Sequence, residues 1–173
     1  MSDQPHLLTE RRGHVLIVTM NRPEARNALS GEMLARMYDA WVELSEDDEL
    51  RVGVLTGAGG TFCSGMDLKA FADGQQETEW TKRFQEDDDL HWKALLRHYR
   101  PTKPLVAAVE GFALAGGTEI LQATEVRVAG EGAVFGITEV ARGLFPLGGS
   151  TIRLRRQIAY THAAELLLTG RHV

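Results

Sequence analysis

FALAGGTEI, residues 112–120, follows the apolar run LVAAV at 105–109 and leads directly into a helix-like pattern. The run is short, unbroken and bounded by Pro104 and Glu110, which predicts a buried strand. A glycine pair at the strand-to-helix turn frees backbone N–H groups that no helical carbonyl claims. The same turn carries a carboxylate, Glu119, into the first helical turn. That combination suits an anion with an acid or base beside it.

A second turn of this kind is FCSGMDLK, 62–69, after the strand-like VGVLTG at 52–57. Gly65 can take the positive φ that turns the Met66 N–H outward. Donors from Met66 and Gly116 converging on one oxygen would form an oxyanion hole, in which one donor is worth about 3 to 4 kcal/mol of barrier. Two further segments complete the pattern, NRPEARNAL at 21–29 and FGITEVARGLFPLGGS at 135–150. With four motifs in this order, from His14 to the last residue, the chain closely resembles the enoyl-CoA hydratase/isomerase (crotonase) family.

The resemblance implies a crotonase-like (ClpP/crotonase) α/β fold, a spiral of strand, strand and helix units, with residues 1–173 as a single domain core. It implies that Met66 and Gly116 hold a coenzyme A thioester carbonyl through backbone N–H. Glu119 and Glu139 fall on the two glutamates of the hydratases, and many relatives with other chemistry lack one of them. Ala25, Arg26, Ala28, Ser64, Asp67, Leu68, Lys69 and Gly117 fall on positions that contact substrate or coenzyme A. The implied activity is addition of water across the 2,3 double bond of a trans-2-enoyl-CoA, in fatty acid β-oxidation or related acyl-CoA metabolism. No cofactor is implied beyond the coenzyme A of the substrate, and no metal. Relatives form homotrimers or hexamers and continue past the position of Val173 into C-terminal helices that this chain lacks.

Hydration explains why two carboxylates are wanted. One polarises the water, the other delivers a proton to the α carbon, and the thioester oxygen takes up enolate charge meanwhile. Two carboxylates sharing a water in a dry pocket do not both ionise easily, so one carries a raised pKa and serves as acid. The resemblance gives water activation to Glu119 and proton delivery to Glu139. Taken singly, Glu119 reads as a first-turn residue that suits the helix dipole and Glu139 as a solvated position beside a strand. The ordered set of motifs favours the catalytic reading.

Other classes are weighed against this one. GAGGTF at 57–62 partly matches a dinucleotide loop, but Phe62 stands where the third glycine belongs. Isomerisation, or an acyl-CoA-binding protein without turnover, are the remaining alternatives. Bulky Met66, Ala115 in place of a common glycine, and Leu147 and Ser150 within the pattern after Pro146 point to a reshaped acyl channel.

Composition sets the wider bounds. With 173 residues, 43% hydrophobic and 25% charged, the chain suits a folded domain with a sizeable core. The net charge of −5 argues against nucleic acid, and the segment from Asp73 to Asp89 accounts for all of it, with seven acids and two bases. Such a run reads as a solvated face, leaving Arg22, Arg26 and Lys69 available near the motifs for a phosphate-rich ligand. Cys63 is the single cysteine and reads as core; the six histidines have no metal-ligand spacing and read as surface or capping residues. The N-terminus does not read as a secretory signal and no apolar tract is long enough to span a bilayer, so a cytoplasmic protein without membrane contact is expected.

Along the chain, periodicity predicts a strand at 14–20 and a helix capped by Ser30, with Met33, Leu34, Met37, Trp41 and Leu44 on its apolar face. A strand follows at 52–57, a helix at 75–100 with Trp80, Phe84 and Trp92 among its packing residues, and a strand at 105–109. A helix over 117–124, strands at 126–129 and 133–135, and a final helix over 150–168 stopped by Gly170 complete the prediction.

Overall fold

The structure, a computed structural model, describes residues 4–68 and 78–173. Lys69, Asp73, Glu77 and the start of the helix expected at 75–100 lie outside the described residues. Five strands form one sheet in the order β1 (Leu7–Arg12), β2 (Val15–Met20), β3 (Val52–Gly57), β4 (Leu105–Val109) and β6 (Val126–Ala129). The first pair is antiparallel, while β2, β3, β4 and β6 run parallel. A second, two-stranded parallel sheet pairs β5 (Phe112–Leu114) with β7 (Val134–Gly136).

Parallel strands send their connections out at their C-terminal ends, and these loops are where an α/β domain collects chemistry. Here the segments after β2, β3 and β4 are laced together. Ser64 N–H donates to Arg26 O at 3.0 Å, Leu29 N–H to Gly65 O at 2.8 Å, and Asp67 N–H to Leu29 O at 3.2 Å. On the other side, Cys63 N–H reaches Phe112 O and Leu114 N–H reaches Cys63 O, both at 2.9 Å. The second glycine turn therefore lies between the first motif and the third.

Helix α1 (Gly31–Glu46) forms as predicted. The Ser30 hydroxyl accepts the Met33 N–H at 3.2 Å, and Met33, Leu34, Ala35, Met37, Ala40, Trp41 and Leu44 are buried along one face. Trp41 is wholly buried and satisfies its indole N–H on the Ala94 carbonyl at 2.8 Å. Cys63 lies in the same core, with burial pushing its thiol up to about 12. Trp80 and Trp92 are half-buried instead, each beneath an arginine, Arg36 and Arg97 respectively, at 4.7 Å.

The expected helix at 75–100 is two short ones in the described part, α2 (Glu79–Glu86) and α3 (Leu90–Ala94). The acidic run breaks it: the Asp87 carboxylate accepts the Asp89 N–H at 3.1 Å and pairs with Lys93 at 2.7 Å, bonds that compete with the helix ladder. The central helix α4 spans Gly116–Leu121 and is buried throughout. The final helix is also two, α5 (Ser150–Gln157) and α6 (Tyr160–Thr169), parted at extended Ile158. The break lets Leu154 from one and Ala163 from the other meet Ile137 in a separate small core. β1 and β5 were not predicted.

The GAGGTF loop is not a phosphate loop. Phe62 is fully buried, the chain continues into the extended pairing of Cys63 with Ala113 rather than a helix, and Asn27 Nδ2 donates to the Ala58 and Thr61 carbonyls at 2.9 and 2.6 Å. Among the described residues no helix is long and apolar enough to cross a membrane.

Candidate active site

Gly65 and Ala115 shape the two turns. Gly65 stands at φ +95, and a Cβ there would lie 2.9 Å from that of Ala115 and 3.5 Å from the Gly116 nitrogen. Only glycine allows this approach. Ala115 itself takes φ 49 and ψ −122, a conformation that costs an L-residue about 1 to 3 kcal/mol. It is held there by its N–H donating to Gly136 O at 2.8 Å.

These turns bring Met66 and Gly116 together: a Cβ on Gly116 would stand 4.0 Å from the Met66 nitrogen. Among the described residues, neither the Met66 nor the Gly116 N–H donates to any protein oxygen. Two unclaimed donors side by side, that of Gly116 three residues ahead of Glu119 on the same helix, can hold an oxygen that gains charge. Gly117, also singled out in the sequence, packs against Cys63, whose carbonyl would lie 2.5 Å from a Cβ at 117.

Glu119 is 4% exposed, too deep for a charge without partners. It has two. Gly148 N–H donates to Oε2 at 2.8 Å and Ser150 N–H to Oε1 at 3.0 Å. Both donors belong to the entry of α5, whose positive end faces the carboxylate. A Cβ on Gly148 would fall 2.5 Å from Glu119 Oε2, so the loop approaches this closely only as glycine. Sequence reading treated Ser150 as a departure from pattern and did not assign Gly148; the glycine turn GGS opening a helix is the signal that marks them.

Glu139 opens a 3-10 turn, Glu139–Arg142, and its Oε2 is buried without a hydrogen-bond partner among the described residues. Burial pushes its carboxyl up to about 7, against a lowering backbone hydrogen bond, and the nearby charge of Glu119 adds to the rise. The two carboxyls thus have unlike surroundings: one is anchored by two donors, the other is left with an unpartnered buried oxygen.

This asymmetry has a consequence for stability. Unfolded, Glu139 ionises near 4.5; folded, it holds its proton to about 7. Stability from this group is complete below the lower value and is lost as pH rises through the upper one. Glu139→Gln is expected to gain in Tm relative to the wild type between about pH 5 and 8, as thermal denaturation at the two ends would measure. An unchanged difference in Tm would contradict the assignment.

The other described positions selected from the sequence lie on the two segments that meet at Leu29 and Met66. Ala25, Arg26, Ala28, Ser64, Asp67 and Leu68 come from the two laced segments. Arg22 Nη1 donates to Asp67 at 2.9 Å and to the Ala28 carbonyl at 2.7 Å, while its Nε is buried without a hydrogen-bond partner among the described residues. Arg26 stands exposed at φ 51 and forms no ion pair among the described residues. Asn27 was missed by sequence reading. It is fully buried at φ 53, tolerated by asparagine better than most residues, and its side chain fixes the loops after β2 and β3 to each other.

Comparison with known proteins follows the same residues. The family profile described as enoyl-CoA hydratase/isomerase matches residues 10–173. Enoyl-CoA hydratase EchA19 of Mycobacterium tuberculosis is 56% identical over 169 residues, 98% of this chain and 63% of that protein. The crystal structure of enoyl-CoA hydratase EchA1 from Mycobacterium marinum superposes with a TM-score of 0.85 at 46% identity, over 98% of this chain and 64% of the other. An enoyl-CoA hydratase structure from Mycobacterium tuberculosis H37Rv gives 0.85 at 44% identity, with the same shares of both chains. The chain therefore spans a little under two thirds of the length of these relatives.

Proposed function

The chain belongs to the enoyl-CoA hydratase/isomerase family and has its crotonase-like fold, and from that premise we propose that it hydrates trans-2-enoyl-CoA thioesters. The observation that carries this reading is the unlike pair of carboxyls: Glu119 anchored by two backbone donors, Glu139 half-buried with Oε2 unpartnered among the described residues and its pKa raised to about 7, beside the free N–H groups of Met66 and Gly116. An isomerase needs one group to move a proton; a hydratase needs a base for water and an acid for carbon at once.

In the proposed reaction the thioester oxygen accepts both N–H groups. Glu119 takes a proton from water as its oxygen bonds to C3, and the π electrons move through C2 and C1 to give an enolate at the hole. Glu139 then gives its proton to C2, the carbonyl re-forms, and the atoms of one water have been added. The proton gained by Glu119 and that lost by Glu139 balance, so no cofactor is required. We place the coenzyme A against Ala25, Arg26, Ala28, Ser64, Asp67 and Leu68, with Arg26 toward its phosphates and Lys69 and Gly117 completing the set.

We further propose a cytoplasmic homotrimer or hexamer acting in fatty acid or related acyl-CoA metabolism. The exposed apolar residues Leu144, Phe145, Leu147, Ile152 and Tyr160, each at least half exposed, support a surface covered in the assembled protein. The test of the activity is incubation with short to long trans-2-enoyl-CoAs, following loss of the conjugated thioester absorbance. Steady loss with at least one chain length is expected. Binding of the thioesters without any loss would instead support the non-catalytic reading.

A further inference from the structure

Arg153 lies on α5, one turn beyond the two N–H groups that hold Glu119, and its own N–H donates to Gly149 O at 2.9 Å. Its guanidinium is half-buried and, among the described residues, pairs with no carboxylate. It is used on two carbonyls instead. Nη1 donates to Gly148 O at 3.2 Å, and Nη2 donates to the carbonyl of Leu96, at the end of α3 and distant in sequence. Leu96 is buried and takes φ 59, a disfavoured conformation for leucine.

Desolvation of a guanidinium for carbonyl partners alone is unfavourable, and surface solvation was available one residue away on the same helix. The placement gains meaning from its neighbour. Gly148 offers its N–H to Glu119 and its C=O to Arg153, so one residue links the carboxylate to the cation. Burial lowers the Arg153 pKa and the negative charge of Glu119 raises it, with Arg100 and Arg97 lowering it further; it stays charged throughout the working range.

We propose that Arg153 is the positioning residue for Glu119: by pinning the Gly148 carbonyl to that of Leu96, it fixes the two backbone N–H groups that aim the carboxylate. The inference rests on the hydration reading for its effect on rate, but not for its effect on the loop. A planar fork holds two carbonyls from two separate nitrogens in fixed geometry, whereas a lysine ammonium carries its three rotatable donors on one nitrogen and holds them less rigidly. A carboxylate displaced by about 1 Å loses rate by as much as a hundredfold.

The test compares wild type, Arg153→Met and Arg153→Lys by amide hydrogen exchange and by enoyl-CoA hydration. In Arg153→Met the Gly148 and Ser150 amides are expected to exchange at least about tenfold faster, with Leu55 and Ala107 unchanged as reporters of the sheet. kcat should fall about tenfold or more with KM within about twofold, and Arg153→Lys should lie between. Gly148 and Ser150 amides as protected as in wild type would overturn the proposal, as would an unchanged kcat in a hydratase-active background. If the Met variant loosens everywhere, the Lys variant decides: selective loosening supports the proposal and uniform loosening overturns it. If wild type hydrates nothing yet these two amides loosen selectively, the pinning stands and the hydration reading fails.

Discussion

Glu119→Gln and Glu139→Gln are each expected to slow hydration of a trans-2-enoyl-CoA by about a hundredfold or more, and the double variant to be hardly slower than either. Glutamine keeps the shape and can still accept one of the Gly148 and Ser150 N–H groups through its one carbonyl oxygen, but it neither takes nor gives the proton. At position 119 the amide also leaves one of the two backbone donors facing an NH2 group, so some local loosening accompanies the chemical loss. Steady-state rates for the three variants, with thermal denaturation to confirm folding, measure this. Full hydration by Glu139→Gln with none by Glu119→Gln would point to a reaction run by one glutamate.

Gly116→Pro is the second large loss expected, on the order of a hundred- to a thousandfold in kcat. Proline removes the N–H and sets its ring where the oxyanion would sit, close to the Met66 nitrogen. It stands in the first helical turn, where a proline ring is tolerated, so the helix itself need not fail. Gly116→Ala is the control: its Cβ would press on Leu29 Cδ1 at 3.2 Å, a side-chain end that can give, and the N–H is kept. Met66→Ala also keeps its backbone donor and should largely preserve turnover. Equal, severe loss in Met66→Ala and Gly116→Pro, both folded, would mean that the Met66 side chain acts.

Local signals accounted for the parts of the fold that are locally determined. Ser30 and the spacing of Met33, Met37, Trp41 and Leu44 mark α1 because cap and stripe lie within one segment. β1 escaped because LLTERR buries only Leu7; it is a strand through six pairings with β2, an edge strand that charged residues suit. The helix expected at 75–100 had the apolar spacing, but Asp87 folds its carboxylate onto its own backbone and interrupts the ladder. At 150–168 the apolar residues do not share one stripe, and two helices bury against Ile137 what one could not.

The site divides the same way. Glycine turns announce free N–H groups, which marks Met66 and Gly116, and the family resemblance marks the two glutamates. The environment of each glutamate did not. Glu119 is anchored by residues 29 and 31 positions away, and Arg153 reaches Leu96 across 57; no window of sequence contains these pairs. The different burial of Glu139, which makes the two carboxyls unlike, arises only in the folded chain, where the 3-10 turn that carries it packs against α6.

The most direct measurement of the central claim is kcat/KM for enoyl-CoA hydration from about pH 5.5 to 9 in wild type and Glu139→Gln. If Glu139 is the acid, it must be protonated, so the wild-type rate is expected to be full below about 7 and to fall as pH rises through that value. The small residual rate of Glu139→Gln should lack this descending limb. A wild-type rate that is level or rising through the same range, with the same profile in Glu139→Gln, would contradict the paired-carboxyl account.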